Sequence, residues 1–313
     1  YRENRSPFFD VSTNGTNIRN IFKQIMDIKV KTARLSIFSN IFLIIIKVFA
    51  GLISGSVSIL SEAIHSGIDL IASAIAFFAV KISSKAPDKT HPYGYGKFEN
   101  ISGVIEGLLI FIAAFWIIFE AVHKITQPSE VSFFMLAGGV MLISATVNFF
   151  VSKRLYEVAK NTDSIALEAD ALHLKTDVYS SLGVAFGMLF IWLTGWHIFD
   201  PIFAIIVALF IMKESFDLVS NAFSPLLDSQ VSEDDYQLLY DEILELTTIK
   251  KMKFTRLRSR KSGPSHMIDF ILLVPPDMTV MESHKICDSI EDKIQKLYTE
   301  SDISIHVEPL KIN

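Results

Sequence analysis

Residues 58–78, SILSEAIHSGIDLIASAIAFF, and residues 170–190, DALHLKTDVYSSLGVAFGMLF, each place a histidine four positions before an aspartate within an apolar run. The pairs are His65 with Asp69 and His173 with Asp177. Residues four apart on a helix share one face, one turn above each other. Each run therefore offers an imidazole beside a carboxylate. Two such helices facing each other supply two nitrogens and two oxygens, a tetrahedral set suited to zinc. The alternative is that each His pairs locally with its Asp or with other polar groups. Ionisable residues at bilayer depth are costly, so two copies of one spacing on separate apolar runs favour a joint purpose.

The surrounding composition sets the frame. Half of the 313 residues are hydrophobic, and a mean hydropathy of +0.39 is too high for an ordinary soluble domain. A net charge of -5 does not suggest nucleic-acid binding. The single cysteine, Cys287, rules out an internal disulfide and a cysteine-based zinc cluster. No cleavable-signal pattern opens the sequence, and Tyr1 in place of Met implies a trimmed chain.

Residues 1–30 read as a polar cytoplasmic tail leading into an interfacial helix. The Asn14-Gly15-Thr16 sequon is discounted because this end is placed in the cytoplasm. Six membrane spans are expected within 31–224, roughly at 33–55, 57–82, 98–122, 132–152, 164–195 and 199–222. Each approaches the ~20 residues a bilayer requires. Spans two, three and five carry polar residues at helical spacing and should face the bundle interior. Lys47 snorkels or pairs with a carboxylate and receives no chemical role. The connection between spans two and three carries Lys81, Lys85, Lys89 and Lys97, and that between four and five carries Lys153, Arg154 and Lys160. The opposite loops are nearly bare of basic residues, which places both termini in the cytoplasm.

From about residue 229 to 313 the composition becomes that of a soluble domain. A capping box at Ser232–Asp235 opens a helix, and KMKFTRLRSR and SHMIDFILLV form a hairpin around Ser262-Gly263-Pro264. A second box, Thr279–Glu282, opens another helix, and ISIHVEP supplies a last strand. The order αββαβ fits a small α+β sandwich with its helices on one face of the sheet. In ISIHVEP, Ser304, His306 and Glu308 share the outward face.

SVSILSEAIHSGID (56–69), PDKTHPYGYGKFEN (87–100) and EADALHLKTD (168–177), followed by the αββαβ domain, resemble the cation diffusion facilitators in motif, spacing and order. The resemblance implies a polytopic α-helical membrane protein with six transmembrane helices and a cytoplasmic ferredoxin-like domain, working as a homodimer. It implies export of divalent cations from the cytoplasm in exchange for protons, across the inner membrane if the source is bacterial. The family's transport site falls on His65, Asp69, His173 and Asp177, and histidine at the first position is usual in zinc transporters. Iron, manganese, cadmium, cobalt or nickel transport, or a non-transporting partner subunit, are the alternatives.

Further family positions match only in part. The loop between spans two and three often carries an Asp and two His, and here has Asp88, His91 and Tyr95, implying a weak metal site or none. Lys97 matches a lysine that pairs with an acidic residue after span six, here Asp228. His284, His306 and Glu308 match cytoplasmic metal positions, while Thr255 and Ile271 stand where some relatives have His. His266 could compensate, but for it and for His123 and His197 an ordinary histidine is the preferred reading.

Glu62, one turn before His65, either orients its ring or lies solvated at the span's edge. An intramembrane metalloenzyme would need a motif such as HExxH, which is absent. The Gly/Pro-broken helices of organic-substrate transporters are not seen flanking the motif.

Overall fold

The structure is a computed structural model that describes residues 15–54, 57–126, 134–194, 198–249, 252–298 and 300–310. Six long helices come first: α1 (Gly15–Ser54), α2 (Val57–Ser83), α3 (Lys97–Thr126), α4 (Phe134–Thr162), α5 (Ile165–Thr194) and α6 (Phe199–Phe223). Then follow α7 (Glu233–Ile249), β1 (Lys253–Ser262), β2 (Ser265–Val274), α8 (Val280–Leu297) and β3 (Ser301–Pro309). The chain divides into two compact units, Ile28–Leu226 and a second that takes in the residues from Leu227 onward together with those up to Asp27.

In the helical unit the usual burial pattern is inverted. Phe38, Phe49, Leu52, Phe115, Trp116, Leu142, Phe150 and Phe216 are all more than 60 % exposed, whereas Asn40, Ser73, Glu99, Glu106, Asp170 and Ser215 are at most 1 % exposed. Apolar side chains outside and polar ones inside suit a hydrocarbon surrounding rather than water. Among the described residues, Gln24–Ile53 and Lys97–His123 are long and apolar enough to cross a membrane by length and composition. The helix α5 is diluted by Glu168, Asp170, His173, Lys175 and Asp177 in two and a half turns, the part that carries the site. The expected tail before Gly15 lies outside the described residues; in place of a separate interfacial helix, one helix runs unbroken from Gly15 to Ser54, because 15–32 contains no proline to break it. The helix α4 runs ten residues beyond its expected end at 152, because SKRLYEVAKNT continues with good helix formers.

The organising helix is α5. One apolar cluster joins it to α1, α2 and α4 through Ala33, Val80, Leu155, Leu167 and Leu174. Another joins it to α3 and α6 through Ile110, Ala169, Leu172, Ile211 and Leu218. The close approach of α3 to α6 depends on Gly107, where a Cβ would stand 2.6 Å from a Val219 methyl. At the α5 N-terminus, Glu99 of α3 is fully buried and gathers three donors: Lys29 of α1, Ser83 of α2 and Ser164, which immediately precedes α5. Lys29 is also fully buried. Four segments thus meet on one carboxylate.

The second unit matches the expected αββαβ order. Its sheet is ordered β1-β2-β3, with β1 and β2 antiparallel and β2 and β3 parallel. The capping box at Thr279 and Glu282 is formed, and Gly263 takes the left-handed conformation (φ 59) that the hairpin turn requires. Leu239 and Ile243 of α7, Ile286, Ile290 and Ile294 of α8, and Ile268, Phe270 and Leu272 of β2 form the core. Cys287 lies in that core, and burial pushes its thiol up.

Removing one member of a buried ion pair leaves an uncompensated charge and costs about 3–5 kcal/mol, whereas replacing both can be neutral. Glu99→Gln should therefore lower the thermal midpoint of the detergent-solubilised protein by several degrees, and adding Lys29→Met should restore much of it. Equal losses in single and double variants would show that the pair contributes no coupling.

Candidate metal centre

Asp69 lies on α2, and His173 and Asp177 lie one turn apart on α5. His173 Nε2 is 3.0 Å from Asp69 Oδ1, and one donor atom from each of the three residues falls within 4.8 Å of the others. Asp69 and His173 are buried and Asp177 is partly buried. One turn along, Ser73 of α2 donates to Asp170 Oδ1 of α5 at 2.8 Å. Asn40 of α1 donates to Ser73 Oγ at 2.8 Å, and the Ser36 hydroxyl lies 2.9 Å from it. The two rungs run in opposite sequence directions, as antiparallel helices require, and they set the rotation of α2 against α5. His65 stands four residues before Asp69 on α2; its side chain, like that of Glu62, lies outside those described.

Helix α4 contributes a residue that spacing could not reveal. Asn148 Nδ2 donates to Asp177 Oδ2 at 3.2 Å. An asparagine in the apolar run LISATVNFFV was its only signal. Asp170 was likewise hidden, lying three residues before His173 and not four. Lys47 is buried, with its Nζ 2.8 Å from Ser66 Oγ, and so does not reach out to the interface.

The loop between α2 and α3 gathers Asp88, His91 and Tyr95, but around the Asp88 carboxylate rather than around a shared cavity. Asp88 Oδ1 accepts from the Thr90 hydroxyl (2.6 Å) and from the amides of Thr90 and His91 (2.8 Å each). Tyr95 donates to Oδ2 at 2.7 Å. The His91 ring lies against Tyr95, with centroids 4.2 Å apart. Both carboxylate oxygens are thus engaged in shaping the turn. The bonds from Thr90, then Tyr95, hold the Asp88 carboxyl far below the usual carboxylate range.

In the second unit, His306 Nε2 lies 3.5 Å from Glu308 Oε1 on β3, and His284 Nε2 lies 3.8 Å from Asp288 Oδ1 on α8. Among the described residues these do not form a group of three metal donors. His306 lines an open cleft of about 460 Å³ with Arg256, Arg258 and Asp269. Two guanidinium groups in that cleft oppose a cation. Arg256 occupies a left-handed conformation (φ 54) where the β1–β2 register shifts. His266 is buried and stacked on Tyr298, whose hydroxyl is pushed up to about 12 by burial and by Asp235. His123 is exposed, and His197 lies outside the described residues. Asp228 accepts from Arg260 at 2.8 Å within its own unit. Lys97 and Asp228, the expected pair, belong to different units.

The transmembrane-domain model of cation efflux proteins matches residues 33–227, and the model of their cytoplasmic domain matches residues 231–310. An uncharacterized transporter of Synechocystis is 32% identical over 85% of this chain and 86% of its own length. The cation-efflux pump FieF of Shewanella oneidensis is 28% identical over 91% of this chain and 96% of its own length. The manganese efflux system protein MneP of Bacillus subtilis is 28% identical, covering 89% of this chain and 95% of that protein.

A carboxylate held below its ordinary range favours the ordered loop above that range, and the benefit is lost as pH falls through the depressed value. The order of the 87–96 loop should hold through mildly acidic pH, and Asp88→Asn should loosen it at neutral pH. Protease nicking in the loop, followed from pH 8 to pH 4, checks this. Loosening of the native loop already at pH 5 would contradict it.

Proposed function

Because this chain belongs to the cation efflux family, whose members move divalent metal cations across membranes, we propose that its cargo is zinc, exported from the cytoplasm in exchange for protons. The observation that carries this reading is the convergence of Asp69, His173 and Asp177 from two helices onto one point. His65, on the same helix as Asp69, is the fourth ligand of the proposed site. Zinc bonds of ~2.0–2.2 Å set tetrahedral donors roughly 3.4 Å from one another, so loading would part His173 Nε2 from Asp69 Oδ1, which now lie 3.0 Å apart. Two ionised aspartates and one divalent cation sum to no net charge, which reduces the cost of holding the ion in a low-dielectric bundle.

Exchange follows from competition for the same lone pairs. The contact of His173 Nε2 with Asp69 Oδ1 needs one proton between nitrogen and oxygen. A metal ion held by both atoms takes that proton's place. Metal loading therefore releases protons and proton return releases metal, which links a proton gradient to export.

The wider architecture proposed is six membrane-spanning helices with both termini in the cytoplasm, in a multi-pass protein of the inner membrane if bacterial. The domain after residue 228 holds a homodimer together. His284, His306 and Glu308 would need ligands from the partner copy or from water to hold cytoplasmic metal against the charge of Arg256 and Arg258, and metal held there would adjust transport. Asp88 and His91, committed to their turn, hold metal weakly or not at all.

Asp69→Ala or Asp177→Ala should reduce Zn²⁺ flux and Zn²⁺-dependent proton flux in proteoliposomes to background, while the protein still inserts and dimerises. Near wild-type flux in either variant would refute the site. The variant with both His306→Ala and Glu308→Ala should keep maximal transport but respond less steeply to cytoplasmic zinc. An unchanged response at every zinc concentration would reduce the domain to a dimerisation module.

A further inference from the structure

Helix α4 supplies none of the four expected ligands, yet its Asn148 reaches the site. The residue is 5% exposed, and Nδ2 is committed to Asp177 Oδ2. Its other polar atom, Oδ1, is buried and has no hydrogen-bond partner. Turning the amide over would not help, because it would set an acceptor oxygen against an acceptor carboxylate. Buried side-chain oxygens are nearly always satisfied, so one left open beside a cluster of ligands calls for a partner the site receives. The covalent geometry of the amide keeps Oδ1 within one functional group's width of the atom touching Asp177. The open oxygen therefore lies at the rim of the donor group formed by Asp69, His173 and Asp177.

Two neighbours on the same face support this. Ser152, four residues on, donates to the Ala171 carbonyl of α5 at 2.7 Å, which fixes this stripe of α4 against the helix carrying the ligands. Ser144, four residues before Asn148, is also buried with an unpartnered hydroxyl oxygen. Two open oxygens thus follow each other along α4, beginning at the metal site.

We propose that Asn148 Oδ1 is a further ligand of the transported cation, raising the protein donors from four to five and extending acceptance beyond zinc to oxygen-preferring ions such as Mn²⁺. The inference rests on the transport reading above. Amide and carboxylate oxygens suit manganese, and zinc is content with four ligands. Holding Asp177 by Nδ2 while offering Oδ1 to the ion lets one side chain both orient a ligand and act as one.

The test uses the full chain in liposomes and Co²⁺ as a spectroscopic probe, with Asn148→Leu and Asn148→Ala as independent variants. In both variants Mn²⁺ flux should fall roughly tenfold more than Zn²⁺ flux. The visible Co²⁺ band should be weak in the wild type, as for five or six ligands, and should strengthen to a tetrahedral band in the variants. Equal losses for Mn²⁺ and Zn²⁺, or an unchanged Co²⁺ band, would overturn the ligand role and leave Asn148 only as a support for Asp177. A wild-type protein that carries none of the three ions would overturn the transport reading itself, and this inference with it.

Discussion

The contact between His173 Nε2 and Asp69 Oδ1 at 3.0 Å joins α5 to α2 across 104 residues of chain. Charged and polar groups inside an apolar bundle must find partners within the protein, because hydrocarbon offers none. That constraint explains the polar rungs between α2 and α5. It explains why Ser73 serves Asp170 while accepting from Asn40. It also explains why the outer faces can be almost wholly apolar.

The same constraint separates structure from function within the bundle. Glu99 has three donors on its two oxygens, one of them a buried lysine, and reads as a closed structural joint. The proposed metal centre is the opposite case. Two carboxylates and an imidazole converge with a single proton to share between His173 and Asp69, and Asn148 leaves an oxygen open beside them. A network with every oxygen engaged holds helices together, whereas one with an open oxygen, here Asn148 Oδ1, has capacity for a cation.

A comparable contrast appears in the loop after α2 and on the cytoplasmic sheet. Asp88 spends both oxygens on its own turn, so its resemblance to a ligand does not make it available. The face bearing His306 also bears Arg256 and Arg258, so positive charge stands where a metal would have to bind. Residue identity marks a possible ligand; the neighbours decide whether its lone pairs are free.

Much of this was legible in the amino-acid order. Helical spacing paired His65 with Asp69 and His173 with Asp177, alternation in ISIHVEP assigned its two faces, and the capping boxes and the Gly263 turn marked elements of the second unit. These are local relations, governed by the 3.6- and 2-residue periods of a single element. What only the tertiary structure decided lies between elements: Asn148 reaching Asp177, Ser73 meeting Asp170, and Lys29 buried against Glu99. Periodicity says which residues share a face but not which helix that face meets or at what rotation. Those were set by packing around α5, where small residues and buried leucines determine how closely each neighbour approaches.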